Sequence, residues 1–151
     1  ADLVLGTADD LEESFSMIRD GGGSLLLIFS TAAWCARCAA DMPELVRLFE
    51  RYALLGLDVR VSLFENSSSG TPQSRDAELY GTRHALPFPV LVDAMGQLHQ
   101  YFPRLALPMV MIVDQPTMTL LYADLGWDYL AMKTMVSDFL DESVELAIPA
   151  P

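Results

Sequence analysis

The run Ser24-Leu25-Leu26-Leu27-Ile28-Phe29-Ser30-Thr31 is almost continuously apolar. A short run without polar alternation predicts a strand buried on both faces of a sheet. Leu57 to Glu65 instead places Val59, Val61 and Leu63 on one side, and predicts a second strand. Between them, Cys35 to about Leu55 carries Leu45, Leu48, Phe49 and Tyr52 at helical spacing, with Gly56 as its C-cap. Pro43 falls inside that helix, where it removes a hydrogen bond. It should kink the axis there, so that the helix start is displayed while its end packs.

Upstream, Thr7-Ala8-Asp9-Asp10 followed by Leu11, Phe15 and Ile18 predicts a capped amphipathic helix, ended by Gly21-Gly22-Gly23. Downstream, Asn66 to Pro72 is a serine-rich loop and Asp76 to Arg83 a helix. Pro89 to Asp93 is a short valine-rich strand, turned by Ala94-Met95-Gly96, and Leu98 to Phe102 is a connecting turn or helix. Met109 to Asp114 and Thr119 to Asp124 form a hairpin through Gln115 to Met118. Trp127 to Leu140 is the last helix, with Met132, Met135, Val136 and Phe139 toward the core, and the tail 146–151 should be loose. The order α-β-α-β-α-β-β-β-α predicts an α/β fold, a central mixed β-sheet with helices on both faces. One domain, 1–151, is expected, with its core at about 24–140.

Composition supports a packed globule, since 52% of the 151 residues are hydrophobic and only 20% charged. A net charge of −12 repels phosphate backbones and anionic lipid, so neither nucleic acid nor a membrane surface is an expected partner. The longest apolar stretches, 25–29 and 105–113, fall short of the roughly 20 residues that a membrane span needs. The chain begins at Ala1 rather than Met, as after removal of a leader or anchor, or after trimming.

The two cysteines of the chain stand in Trp34-Cys35-Ala36-Arg37-Cys38, where the buried strand gives way to the helix. Disulfide exchange needs an ionisable, reachable sulfur and a second sulfur close enough to resolve the mixed disulfide. A helix N-terminus supplies free N–H groups and partial positive charge that favour a thiolate. Cys35, nearer the helix end, is therefore the expected nucleophile, and Cys38, one turn inside, the resolving thiol. A loop this short adds little as a structural staple. Arg37 either favours the thiolate by its charge or is a solvated surface arginine. Trp34 is an apolar platform over the site or a core aromatic. Asp41, one turn after Cys38, can take and return the proton of the resolving thiol, or simply complement the helix dipole. Pro108 precedes the strand Met109 to Val113, opposite the expected start of the Cys35 helix. A cis bond there would keep a loop off the sulfurs and leave the backbone of Leu107 free to pair with an extended substrate. Pro89 also precedes an apolar run, but only Pro108 leaves one hairpin and one helix to follow.

A different use of the same cysteines is metal binding. Cys35, Cys38, His84 and His99 would be the zinc set, although the histidines are far apart for a compact site. Copper handling would add methionines, but Met42, Met109, Met111, Met132 and Met135 sit where core residues belong.

Trp-Cys-X-X-Cys at 34–38, the helix proline Pro43, and Leu107-Pro108 before an apolar strand ending in Asp114 together resemble the thioredoxin superfamily. The segment Pro89 to Gly96 looks like the inserted strand and turn of its TlpA/ResA-like extracytoplasmic branch. The resemblance spans about Ser24 to Leu140. It implies a thioredoxin-like fold with an inserted strand and helix before a cis-proline hairpin. It further implies a monomeric protein disulfide oxidoreductase of the bacterial periplasm, more a reductase than an oxidase. Such a protein needs no cofactor beyond the Cys35–Cys38 disulfide, and exchanges with a protein thiol or disulfide substrate and an upstream redox partner. Trp34, Leu107 and Pro108 would contact substrate. Two departures stand out. Phe29 occupies the place of the buried aspartate of thioredoxin itself, and Ala36-Arg37 replaces the usual dipeptides that tune the potential.

Overall fold

The apolar run 25–32 occupies the middle of the molecule. The computed structural model describes residues 4–7 and 12–147. Its elements are β1 (Val4–Thr7), β2 (Glu12–Ser14), α1 (Phe15–Arg19), β3 (Leu25–Ala32), α2 (Ala36–Tyr52) and β4 (Leu57–Glu65). They continue with α3 (Ser74–Arg83), β5 (Val90–Val92), β6 (Met109–Asp114), β7 (Thr119–Leu125) and α4 (Tyr129–Ala147). Short 3-10 turns lie at Ala53–Leu55 and Gln97–Tyr101.

One seven-stranded sheet runs in the order β2-β1-β5-β4-β3-β6-β7. β3 pairs parallel with β4 and antiparallel with β6, and every residue of it is buried. Burying a leucine- or phenylalanine-sized side chain contributes roughly 1.5–3 kcal/mol, so a strand with five consecutive large apolar residues gains most in the interior of the sheet. Its side chains alternate between two cores. Leu25, Leu27 and Phe29 face the side covered by α2, α3 and α4, through Met42, Leu45, Ala77, Tyr80, Met132 and Val136. Leu26 and Ile28 face the side covered by α1 through Ile18 and by the Gln97–Tyr101 turn through Leu98. Helices cover both faces as predicted, but unequally: the right-handed crossovers β3-α2-β4 and β4-α3-β5 put both helices on one side.

The predicted N-terminal helix is corrected. Residues 8–11 lie outside the described residues, and the chain on either side forms β1 and β2, an antiparallel pair that joins the sheet through Gly6 opposite Val92. The helix is only α1, capped by Ser14, whose hydroxyl accepts the Met17 amide at 3.2 Å. The last helix begins at Tyr129 rather than Trp127, because Gly126 takes φ +90° and Asp128 accepts the Ala131 amide at 3.0 Å. It runs through Ala147, past the start of the predicted loose tail; 148–151 lie outside the described residues. As predicted, Pro43 lies inside one helix, and α2 passes through the exposed proline without a break.

Candidate active site

The site forms where β3 leaves the sheet. A register shift between Thr31 and Ala32 irregularises the end of the strand. The next residues are held by backbone bonds, Ala33 N–H to Glu65 C=O and Cys35 N–H to Ala32 C=O, both 3.0 Å. Cys35 is the N-cap of α2, with an extended backbone (φ −75°, ψ 98°). Its sulfur accepts the Cys38 amide at 3.2 Å, so it takes the place that a serine oxygen fills in an ordinary cap.

Cys35 and Cys38 form a disulfide, with Cα atoms 5.3 Å apart. Cys35 keeps a narrow opening to solvent at 7% exposure, and Cys38 has none. Of the two, Cys35 is the more accessible. Trp34 stands beside them 48% exposed, which makes it a surface aromatic and not a core one.

Pro108 lies at the same end of the sheet. Ser30 pairs with Met109, so Pro108 falls level with Thr31, at the strand end that leads to Cys35. The Leu107–Pro108 bond is cis, and it is the one cis bond among the described residues. The Pro108 carbonyl accepts the Gly126 amide at 2.7 Å, which ties this loop to the end of β7. Leu107 is half-buried, packed against both cores.

Arg37 is exposed and lines a cleft of about 270 Å³ with Tyr122, Trp127, Met132 and Met135. Asp41 is half-buried, and its Oδ2 is buried without a hydrogen-bond partner. Burial pushes its carboxyl above the ordinary carboxylate range, Glu44 adds to this, and the positive charge of Arg37 opposes it.

Tyr80 of α3, which sequence reasoning did not single out, is 5% exposed and packs in the same core as Cys35 and Cys38. Its phenol is pushed up to about 12, chiefly by burial; the Thr31 hydroxyl opposes the shift and the Asp41 charge adds to it. The available signal was a tyrosine one turn after Ala77, on the apolar face of a short helix.

The alternative metal sets are not assembled. Among the described residues no three His, Cys, Asp or Glu side chains come together to hold an ion. His84 packs on Tyr80 on one face of the sheet, and His99 on Phe64 on the other. Met42 and Met132 lie in one core, Met109 and Met111 in the other.

No family model matches this sequence, and no curated protein does. Solved structures do match. A thioredoxin-like protein from Aeropyrum pernix superposes with a TM-score of 0.72 at 19% identity, covering 91% of this chain and 89% of its own. A Chlorobium tepidum protein described as the thiol:disulfide interchange protein DsbE gives 0.74 at 20% identity, covering 93% and 94%. A secreted disulfide oxidoreductase from Mycobacterium tuberculosis gives 0.67 at 13% identity, covering 90% and 95%. At these identities the likeness establishes the fold, which is thioredoxin-like.

Proposed function

We propose that this protein is a thiol-disulfide oxidoreductase that exchanges disulfides with partner proteins through Cys35 and Cys38, as a reductase outside the cytoplasm. The observation that carries the reading is the placement of the pair. Cys35 caps α2 through its sulfur and keeps a small residual exposure, Cys38 is sealed one turn deeper, and the Pro108 loop lies at the same end of the sheet.

In the reduced protein the Cys35 thiolate attacks one sulfur of a partner disulfide. A Cys35–partner bond forms, the partner S–S bond breaks, and the departing thiolate takes a proton from solvent. Asp41, as carboxylate, accepts the proton of Cys38. The Cys38 thiolate then attacks the Cys35 sulfur, forming the intramolecular disulfide and expelling the second partner thiolate, which receives the proton held by Asp41. Two electrons pass to the partner. An upstream dithiol restores the reduced pair. Trp34 and Leu107 offer apolar contact beside the sulfurs, and Leu107 a backbone for an extended segment. The thioredoxin-like neighbours described as disulfide oxidoreductases support this reading, and the DsbE-like ones support the compartment.

Replacing Cys38 by serine removes the resolving thiol, so the variant should retain partners as disulfides to Cys35, and C35S should retain none. Absence of any trapped partner, together with no reduction of insulin by the unaltered protein, would falsify the proposal. The direction is tested by equilibrium with glutathione: a potential near about −270 mV marks a reductant, one near about −120 mV an oxidant.

A further inference from the structure

The cleft that Arg37 lines adjoins the disulfide. Arg37 stands between the two cysteines, in the first turn of α2. Gly126 lines the same cleft, and its amide is held by the Pro108 carbonyl at 2.7 Å. A partner segment joined to Cys35 therefore passes the lip of this cleft. The lining is largely apolar: Met132 is buried, Met135 is half-buried, and the ring of Trp127 packs edge-on against Phe29 at 5.6 Å. Methionine adapts to irregular apolar shapes because its side chain is unbranched and flexible. At about 270 Å³ the cleft falls below the usual range of small-molecule pockets, about 300–1,000 Å³, and suits one large side chain.

Two charges line this cleft, and they differ in what they are engaged with. Asp128 caps α4, its Oδ1 accepting the Ala131 amide at 3.0 Å. Arg37 is exposed and forms no salt bridge among the described residues, Asp128 included, although its charge acts on Asp41 of the same helix. The chain has 9 Lys and Arg against 21 Asp and Glu, so its field at long range disfavours acidic partners. A cation beside the sulfurs then selects at contact. We infer that this cleft is a specificity subsite for the partner protein. It seats one large apolar side chain near the partner's cysteine, and Arg37 pairs with a carboxylate next to that side chain. The substrate class is an extended protein segment with an apolar and an acidic residue flanking the reactive sulfur. Asp128 repels the same carboxylate and so directs it to Arg37. The inference rests on the reading of Cys35 as the attacking sulfur and names what that sulfur selects.

The test uses the full chain carrying C38S, so that each reaction stops at one mixed disulfide. Cysteine peptides are offered as disulfides with 2-thiopyridine. The Cys35 thiolate bonds to the peptide sulfur, the bond to thiopyridine breaks, and the leaving group takes a proton from solvent and is read by absorbance. Three peptides carry Leu-Glu, Leu-Gln or Gly-Glu beside the cysteine, before it in one set and after it in another. At about 0.15 M salt, where distant charges are screened, Leu-Glu in one of the sets should react about fivefold faster than Leu-Gln. It should also react about tenfold faster than Gly-Glu. R37Q should abolish the first ratio and R37K should keep it. A131W, which fills the cleft from an exposed position of α4, should abolish the second. Equal rates for the three peptides overturn the inference and leave the exchange reading standing, whereas no reaction with any peptide removes both. Ratios that survive R37Q or A131W place recognition elsewhere and overturn it too. In the Leu-Glu mixed disulfide the Trp127 indole N–H resonance should shift from its place in the free variant, and an unmoved resonance overturns the seating of the side chain in the cleft.

Discussion

The Cys35 sulfur and the Cys38 amide meet at 3.2 Å across the first turn of α2, so the sulfur proposed as nucleophile is also the cap of the helix. The unpaired N–H groups of that turn remain when the disulfide is opened, and they favour negative charge on the capping sulfur. Cys38, fully buried, lacks both the position and the access. Limiting iodoacetamide on the reduced protein should therefore modify Cys35 at least about tenfold faster than Cys38. Peptide mapping by mass spectrometry checks this, and equal labelling would contradict the assigned roles.

Asp41 should make the oxidised protein less stable as pH rises. Its folded-state carboxyl lies above the ordinary range, so between the unfolded value, about 3.9, and that raised value the folded state holds a proton that the unfolded chain has released. Stability falls through that window, and the penalty is complete above it. D41N removes the penalty. It should be the more stable protein at neutral pH, with the advantage vanishing near about pH 3. Urea midpoints across pH measure it, and an advantage that persists at acid pH would point to packing instead. The same variant should slow resolution of a Cys35 mixed disulfide by about a hundredfold.

Gly56 should tolerate no side chain. It has φ +109°, and its carbonyl accepts the Ser24 and Leu25 amides at 2.8 and 3.0 Å, fixing the start of β3. A Cβ there would stand 2.7 Å from Ser24 Oγ and 2.9 Å from Ser24 Cβ. Left-handed strain and the clash add, so G56A should cost about 2–4 kcal/mol in urea unfolding. A loss below about 0.5 kcal/mol would mean that the turn readjusts freely.

The central elements were legible because one local signal decided each. The apolar run of β3, the alternation of β4 and the hairpin at Gln115 to Met118 need no knowledge of distant residues; Gly56 caps the 3-10 turn Ala53–Leu55 rather than α2 itself, whose C-cap is Ala53. β1 and β2 were not legible. Three- and four-residue strands carry too little periodicity, and β1 joins the sheet by pairing with Leu91 and Val92, far along the chain. Leu11, Phe15 and Ile18 mimic a helix face, and only the last two fall in α1. At α4, Asp128 carried the capping signal, but the apolar spacing that starts at Trp127 masked it; Trp127 packs edge-on against Phe29 instead. Within the site, the cysteine pair and Pro108 could be read from motif and order. The burial of Tyr80 in the core that holds the pair could not, because which helix packs on that face is a property of the sheet order.

The place of β3 also has a consequence for synthesis. One flank of the strand is closed by β4, which follows almost at once, while the other waits for β6, whose Met109 to Asp114 pair back to Ser30 and Leu25. On the ribosome, the fully buried strand β3 and the two cysteines that follow it therefore emerge long before the hairpin that completes the sheet beside β3. For that interval the nascent chain offers an open sheet edge, which the arrival of β6 closes.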